Sequence, residues 1–380
     1  MAELIRRRLC VLGATGSVGG AALDVARMRG DSAEVLVAEK NASAMEKLCL
    51  EFRPRKAVMR DSRAAETLRS ALAAEGITVD GGDEAVRLAA EGCCTVVAGI
   101  AGAGGLPPVL EAARRGKRIL LANKESLVFA GELLMRVARE NGAEILPIDS
   151  EHAALFDLLA ARRGYAKLWL TASGGALRDM PENRLAAATP EQTLAHPTWK
   201  MGRKITVDSA TMMNKALEII EASALFAAAP ENIGVVVHPQ SIVHAFVEEA
   251  DGALVAQMAA PDMRKPIARM LAWPDDSSFR APRPDWDALS SLSFWEPSLS
   301  RYPCLSLARD ALAAGGAAPA ALSAANETAV ERFLAGDIKF TDIARINARA
   351  LEKCAPRPAA TLADLRAADE YARVCAAGGS

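Results

Sequence analysis

Short apolar runs alternate with helical patterns through the first 149 residues of this 380-residue chain. Continuous apolar strands of such length between amphipathic helices are typical of a parallel, doubly wound sheet. The pattern therefore predicts an α/β domain in residues 1–149. The predicted strands are Leu9–Leu12, Val35–Ala38, Lys56–Met59, Thr95–Ala98, Ile119–Ala122 and Glu144–Ile148, and Val18–Met28 and Ala42–Phe52 are the first predicted helices.

A different pattern follows and predicts an α+β domain in residues 150–273. Residues 190–204 lack any periodicity, and irregular segments of this length inside a compact domain are commonly functional. Because the segment carries Trp199 and Met201, we expect it to act as a lid. The predicted strands of this domain are Leu168–Ala172, Gly234–His238 and Leu254–Met258, and the predicted helix is Ala210–Phe226.

The last third of the chain predicts a linker and a small helical bundle. Residues 274–303 are rich in Pro, Ser, Asp and Trp without periodicity, which indicates a linker. Residues 304–380 are rich in Ala and Leu, with breaks at Gly315–Gly316, Gly336 and Pro356–Pro358. That pattern predicts a bundle of short helices.

Bulk composition excludes several classes of protein. A net charge of −2 with dispersed basic residues argues against a nucleic-acid partner, and no run is long and apolar enough to predict a membrane span. The seven cysteines include no C-x-x-C pair, which suits a reducing compartment and argues against structural zinc. The first strand begins too early for a signal peptide, so we expect a cytoplasmic protein.

A glycine-rich turn joins the first predicted strand to the first predicted helix. Gly13, Gly16 and Gly19 have the spacing G-x-x-G-x-x-G, a variant of the dinucleotide fingerprint. Glycines at this turn let the backbone approach a pyrophosphate, which binds the helix N-terminal amides. A tight turn without ligand is the plainer reading, but the strand–turn–helix context favours a Rossmann-like dinucleotide site.

The choice between NAD and NADP stays open from these residues alone. The tip of the second strand, about 20 residues on, is where an adenosine ribose binds in such folds. Glu39 there favours NAD by bonding the ribose hydroxyls, whereas Lys40 and Asn41 favour NADP by holding a 2′-phosphate.

Three carboxylates predict a metal site. Asp149 and Glu151 follow an apolar run and, on a strand, would share one face. Asn214, Lys215 and Glu218 are neighbours on one side of the predicted helix. Such oxygen ligands suit a hard divalent cation, and the lysine suits an anion. Taken alone, the carboxylates fit an ordinary ion-pair network and a solvated helix face better.

The motifs together resemble those of the 1-deoxy-D-xylulose 5-phosphate reductoisomerase family over nearly the whole chain. They include Gly13–Gly19, Ala122–Leu127, Pro147–His152, Thr171–Gly175, His196–Lys204, Val207–Glu218, His238–Ser241, Pro261–Arg264 and Ala325–Val330. The resemblance implies an NADPH- and metal-dependent enzyme that rearranges and reduces a sugar phosphate to 2-C-methyl-D-erythritol 4-phosphate. It also implies a homodimer.

The resemblance further implies a role for each matching residue. Asp149, Glu151 and Glu218 would bind Mg²⁺ or Mn²⁺ and, with Lys124 and His196, form the catalytic set. The implied substrate residues are Lys124, Ser150, Glu151, Ser173, His196, Trp199, Ser209, Asn214, Lys215, Glu218 and Met263. The implied NADPH residues are Thr15, Gly16, Ser17, Val18, Lys40, Asn41, Asn123, Glu125 and Gly202.

The chain departs from the family pattern at Glu39, where the family has glycine. An acid there would repel a 2′-phosphate, and we expect Lys40 and Asn41 to keep NADPH preferred. Two other functions compete with this interpretation. One is a dehydrogenase of the homoserine or semialdehyde kind, which needs no three-carboxylate site. The other is a non-catalytic dinucleotide-sensing regulator, which would not need Asp149, Lys215 and Glu218.

Overall fold

The structure, a computed structural model, describes residues 8–162, 164–199, 201–354, 359 and 361–378. Lys200 of the predicted lid, the predicted break at Pro356–Pro358 and the terminal Gly379–Ser380 lie outside the described residues. The chain divides into two compact units that do not follow chain order. Unit 1 comprises Met1–Ser126, Leu134–Ala153 and Asp262–Ala281, and unit 2 comprises Leu127–Leu133, Ala154–Pro261 and Pro282–Ser380.

Unit 1 is built on a seven-stranded sheet in which every neighbouring pair of strands is parallel, in the order β4-β3-β2-β1-β5-β6-β7. This confirms the predicted α/β, doubly wound architecture. Its strands are β1 Arg8–Leu12, β2 Ser32–Ala38, β3 Lys56–Met59, β4 Thr78–Gly81, β5 Thr95–Ala98, β6 Arg118–Leu121 and β7 Glu144–Pro147.

Unit 2 contains a mixed four-stranded sheet in the order β11-β10-β8-β9. Strands β8 and β9 are parallel, and β10 is antiparallel to both of its neighbours. The sheet, with the helices around it, confirms the predicted α+β region. Its strands are β8 Lys167–Ala172, β9 Ile233–Val237, β10 Val243–Glu248 and β11 Leu254–Met258.

Helices surround both sheets. In chain order they are α1 Ser17–Arg29, α2 Ala42–Phe52, α3 Ser62–Ala71, α4 Asp83–Arg87, α5 Leu106–Arg114, α6 Lys124–Asn141, α7 Ser150–Ala160, α8 Pro190–Leu194, α9 Arg203–Thr211, α10 Met213–Phe226, α11 Arg264–Ala272, α12 Trp286–Leu289, α13 Cys304–Ala314, α14 Ala318–Ala335, α15 Asp342–Cys354 and α16 Leu362–Ala377. Helices α13 to α16 form the predicted helical bundle. No helix in the described part of the chain is long and apolar enough to span a membrane.

The core of unit 2 joins its sheet to α10 and to the helical bundle. Leu168 and Leu170 from the sheet, Leu217 from α10 and Leu305 and Leu322 from the bundle belong to one buried cluster. Shared burial of this kind makes the bundle part of the fold of unit 2 rather than an appendage, because these side chains lose their apolar cover if the bundle is removed.

Two local predictions are wrong. The predicted single helix Ala210–Phe226 is two helices, because Met212 has a left-handed backbone with φ of 60° and the Thr211 hydroxyl accepts the Met213 N–H at 3.2 Å. The segment predicted to be irregular, residues 190–204, begins with α8. There Thr189 and Gln192 form a reciprocal capping box, a T-x-x-Q signal that the prediction overlooked.

Candidate active site

The glycine-rich turn of unit 1 brings backbone segments into close contact. Gly13 has φ of +84°, and a Cβ on it would lie 2.7 Å from the carbonyl oxygen of Gly99. A Cβ on Gly19 would overlap the carbonyl oxygen of Gly13. Gly16 precedes α1, none of the described side chains caps this helix, and Thr15, Gly16 and Ser17 are exposed. An exposed helix N-terminus of this kind is suited to an anion.

Lys40 and Asn41 follow β2 at the carboxyl edge of the same sheet, and both are exposed. The Asn41 side chain accepts the Ala44 N–H at 3.0 Å and thereby caps α2. Asn41 therefore has a structural task in addition to the cofactor contact expected of it. Lys40 lies in the same exposed turn, where a ribose or its phosphate is expected.

The start of α6 carries three of the expected site residues. Asn123 caps the helix, since its Oδ1 accepts the Ser126 N–H at 2.9 Å. Its Nδ2 donates to Gly102 O and to Glu125 Oε2, each at 3.0 Å. These bonds fix Lys124 at the first helical position, where its side chain is only 7% exposed.

Asp149 pairs directly with Lys124, with 2.6 Å between Oδ2 and Nζ. Asp149 and Glu151 do not share one face of a strand, as was predicted, because β7 ends at Pro147 and Glu151 lies in the first turn of α7. The Asp149 carbonyl accepts the Ala153 N–H at 2.8 Å, so Asp149 caps this helix. An Asp followed by Ser and Glu is a helix-start signal that the strand interpretation missed.

The first turn of α7 contributes further oxygen atoms to this part of unit 1. Ser150 donates its hydroxyl to Glu151 Oε2, and its backbone N–H donates to Asp149 Oδ1 at 3.0 Å. His152 is fully buried, with Nδ1 3.8 Å from Asp149 Oδ2. Within unit 1 the structure thus brings together two carboxylates, a lysine and a hydroxyl.

In unit 2, Ser173 and His196 form a hydrogen bond of 2.9 Å between Oγ and Nε2. His196 Nδ1 accepts the backbone N–H groups of Thr198 (3.1 Å) and Trp199 (2.9 Å). The neutral ring must therefore carry its proton on Nε2 and donate it to Ser173. Burial, and then the charge of Arg178, lower the pKa of His196, which favours this neutral form.

The loop that carries Ser173 packs tightly against α9. Gly175 has φ of +71°, and a Cβ there would lie 2.7 Å from the Ser209 carbonyl oxygen. The Gly175 N–H also donates to Ser173 Oγ at 3.2 Å. Glycine at this position lets two hydroxyl-bearing segments, at Ser173 and Ser209, approach each other.

The first two turns of α10 carry Asn214, Lys215 and Glu218 on one side, as predicted. Asn214 Nδ2 donates to Glu218 Oε1 at 2.6 Å, and Lys215 Nζ donates to Glu218 Oε2 at 2.5 Å. Glu218 is only 1% exposed. Its carboxylate is buried and fixed by two donors, which contradicts the solvated-face alternative for this helix.

For three other expected site residues the structure gives a backbone contact or a position at the start of a helix. Trp199 donates its backbone N–H to His196, as described above, and Gly202 begins α9 at the N-cap position. Met263 precedes α11 in unit 1. Their roles toward substrate and cofactor stay predictions.

A buried polar network beneath α9 was missed from the sequence. Asp208 is 1% exposed and receives Asn326 Nδ2 on Oδ1 at 2.7 Å and Lys204 Nζ on Oδ2 at 2.9 Å. Asn347 Nδ2 donates in turn to Asn326 Oδ1 at 3.0 Å. In the sequence these residues are polar side chains at core positions of helices. Periodicity alone does not show which of them contact each other.

Family models match three stretches of the chain. They are described as 1-deoxy-D-xylulose 5-phosphate reductoisomerase for residues 9–131, its C-terminal domain for residues 145–226, and DXP reductoisomerase C-terminal domain for residues 258–375. The chain is 50% identical over 377 residues to the 1-deoxy-D-xylulose 5-phosphate reductoisomerase of Cupriavidus pinatubonensis, covering 96% of this chain and 95% of the relative. The chain belongs to the 1-deoxy-D-xylulose 5-phosphate reductoisomerase family.

Other members of this family agree with the assignment. The Ralstonia pickettii enzyme of the same name is 49% identical, over 96% of this chain and 95% of the relative. The solved structure of the Zymomonas mobilis reductoisomerase in complex with NADPH is similar with a TM-score of 0.92, 40% identity and 98% of both chains covered. A DOX-P reductoisomerase structure with NADPH, fosmidomycin and magnesium matches with a TM-score of 0.91, 40% identity, and coverage of 98% of this chain and 97% of that one.

Proposed function

We propose that Asp149, Glu151 and Glu218 hold the divalent metal ion of this enzyme. The enzyme is an NADPH- and metal-dependent oxidoreductase of its family: it rearranges 1-deoxy-D-xylulose 5-phosphate and reduces the product to 2-C-methyl-D-erythritol 4-phosphate. The observation that carries the metal proposal is Glu218, a buried carboxylate on which Asn214 and Lys215 converge. Family membership excludes the two competing functions, the dehydrogenase and the regulator.

The donor set fits the metal. All three proposed ligands are carboxylates, and hard oxygen ligands suit Mg²⁺ and Mn²⁺. Two of these carboxylates each pair with a lysine in the structure: Asp149 with Lys124, and Glu218 with Lys215. When bound, the metal polarises the substrate carbonyl, and NADPH supplies the hydride.

The substrate phosphate binds two serines and residues of α10, all in unit 2. Ser173 accepts hydrogen bonds from His196 and from the Gly175 N–H, so its own hydroxyl proton can be donated to a phosphate oxygen. Ser209 supplies a second hydroxyl. Lys215 carries three N–H donors, so its pairing with Glu218 is compatible with a bond to the phosphate.

The lid of residues 190–204 excludes water in this proposal. His196 both anchors the backbone of this segment and bonds Ser173, so closure over the phosphate and orientation of Ser173 depend on one side chain. Water exclusion strengthens the electrostatic interactions in the site and protects a reactive aldehyde. Lys124, Ser150, Trp199 and Met263 contact the remainder of the substrate.

NADPH binds the glycine-rich turn with its pyrophosphate at Thr15 to Val18 and its adenosine at Lys40 and Asn41. The uncapped N-terminus of α1 and the close approach at Gly13 support the first contact. Asn123 and Glu125 lie at the carboxyl edge of the same sheet, where ligands bind in such folds. Gly202 completes the proposed set.

A homodimer through the edge strand β11 of unit 2 is part of the proposal. Among the described residues this strand pairs with β10 alone, and it exposes Leu254 (60%) and Met258 (44%). An exposed apolar edge strand is a template for pairing with a second chain. Light scattering after size exclusion is expected to give twice the chain mass for the wild type, and a smaller mass for Leu254→Lys.

Seven free cysteines, all within the described residues, support a reducing compartment, and we place the enzyme in the cytoplasm.

Metal binding by variants tests the ligand set independently of turnover. Titration of Mn²⁺, followed by electron paramagnetic resonance, is expected to give one site in the wild type. Asp149→Asn and Glu218→Gln should each weaken that site by more than about tenfold, since one direct ligand is lost. Glu132→Gln, an exposed residue of α6, is the control and should bind normally. Unchanged Mn²⁺ affinity in either ligand variant would refute the proposal.

A further inference from the structure

The first residues after β2 and β3 remain paired beyond the ends of the strands. Ala38 lies opposite Met59 in the parallel register. The Arg60 N–H then donates to Ala38 O at 2.9 Å, and the Asp61 N–H donates to Glu39 O at 3.0 Å. Glu39 and Arg60 are therefore neighbours at the carboxyl edge of the sheet, the edge at which the adenosine is expected.

Their side chains also approach each other. Arg60 Nη1 lies 3.8 Å from Glu39 Oε2, and Arg60 Nε lies 2.6 Å from Asp83 Oδ1. A Cβ on Gly104 would lie 2.8 Å from Arg60 Nη1, so the guanidinium rests against this glycine. Contacts from three separate segments thus hold the guanidinium beside Glu39 while 39% of the Arg60 side chain stays exposed.

The charge arrangement bears on how a cofactor phosphate could bind beside the carboxylate of Glu39. A carboxylate at the end of β2 favours a ribose with free hydroxyls and repels a 2′-phosphate. A guanidinium 3.8 Å away offsets that charge. Arginine also offers planar N–H donors that match a phosphate, and an arginine near this position is a known way to accommodate a 2′-phosphate.

We propose that Arg60 is a specificity-determining residue for NADPH: it neutralises Glu39 and, together with Lys40, binds the adenosine 2′-phosphate. Asp83 holds the Nε edge and so orients the two Nη groups. Gly104 leaves the room in which the guanidinium lies. The inference rests on the proposed binding of the adenosine at Lys40 and Asn41.

Cofactor binding by the full-length protein, in the absence of substrate and metal, tests this role without measuring turnover. NADPH and NADH are titrated separately and followed by nicotinamide fluorescence. Arg60→Ala is expected to weaken NADPH binding about tenfold, the loss of one charge-assisted interaction, and to leave NADH binding unchanged or tighter. Arg114→Ala is the matched control: it removes the same charge at the exposed C-terminal end of α5, and should bind both cofactors normally.

A double-mutant cycle tests the link to Glu39. Glu39→Gln should tighten NADPH binding more strongly in the Arg60→Ala background than in the wild type, since Arg60 no longer screens the carboxylate there. Equal effects in the two backgrounds would overturn the neutralising role.

Two further outcomes would overturn the proposal. If Arg60→Ala leaves NADPH binding unchanged, or weakens the binding of NADPH and NADH equally, then Arg60 does not recognise the 2′-phosphate. The variant Lys40→Ala distinguishes an error about Arg60 from an error about the adenosine site as a whole. If Lys40→Ala weakens NADPH binding and Arg60→Ala does not, only the inference on Arg60 fails; if neither does, the proposed adenosine site fails as well.

Discussion

Asp208 and Asn326, 118 positions apart in the sequence, share a buried hydrogen bond of 2.7 Å between Oδ1 and Nδ2. Asp208 belongs to α9, which also carries Ser209 and leads directly into α10 with Asn214 and Lys215. Asn326 belongs to α14 of the helical bundle. Through this bond the bundle fixes the helix that presents the proposed phosphate-binding groups.

Removal of this bond should impair both stability and substrate binding. Asn326→Ala leaves a buried acceptor without its donor, which costs about 1–3 kcal/mol of the free energy of unfolding. Because α9 also loses its anchor, we expect KM for the sugar phosphate to rise while NADPH binding stays normal. Urea denaturation and steady-state kinetics measure the two effects. Glu331→Ala, an exposed change on the same helix, should alter neither; normal KM in a destabilised Asn326→Ala would refute the positioning role.

Substitution by alanine should have opposite effects on stability at two adjacent glycines of α1. A Cβ on Gly19 would overlap the Gly13 carbonyl, whereas a Cβ on Gly20 would meet nothing within 4 Å. We expect Gly19→Ala to destabilise unit 1 and abolish NADPH binding. Gly20→Ala should stabilise the helix by up to about 1 kcal/mol, because alanine has the higher helix propensity. Thermal unfolding and NADPH titration distinguish the two; similar behaviour of both variants would contradict the proposed packing.

The hydrogen bonds of His196 predict a pH dependence with a definite sign. Burial lowers the pKa of His196 below its ordinary value of 6.5, so the neutral ring contributes stability above pH 6.5. That contribution is lost as the pH falls through the lowered pKa, since a proton on Nδ1 would face the N–H groups of Thr198 and Trp199. Melting temperatures from pH 7.5 to 5 should fall more for the wild type than for His196→Asn.

The wild type has to be compared with a variant because His238 gives stability a pH dependence of the same sign. It is buried, its pKa is also lowered, and its Nε2 accepts two backbone N–H groups at 3.1 Å. Both proteins retain His238, so its contribution cancels in the difference. Parallel pH profiles for the wild type and His196→Asn would contradict the neutral anchoring of the lid.

Much of unit 1 could be predicted because buried parallel strands are continuous apolar runs that need no tertiary information. The strand β4 was missed because Thr78 to Gly81 contain one apolar residue, at the edge of the sheet. Strand β10 was missed because its apolar run contains His244, which the fold buries.

The motifs supplied candidate site residues but not their geometry. Motifs identified Asp149, Ser173 and Glu218, yet Asp149 caps a helix where a strand was expected. Contacts that depend on distant segments left no sequence signal, as with Asn326 on Asp208 and Arg60 beside Glu39. Pairs of this kind form only once the fold has brought their elements together.

The most direct test of the central claim is NADPH oxidation on addition of 1-deoxy-D-xylulose 5-phosphate, measured for the wild type, Asp149→Asn and Glu218→Gln with and without Mn²⁺. We predict turnover by the wild type only with the metal present. For both variants we predict a loss of at least about 100-fold in kcat, with normal NADPH binding, because metal stabilisation of the transition state is worth several kcal/mol. Full turnover in EDTA, or wild-type kcat in either variant, would contradict the proposed metal ligands.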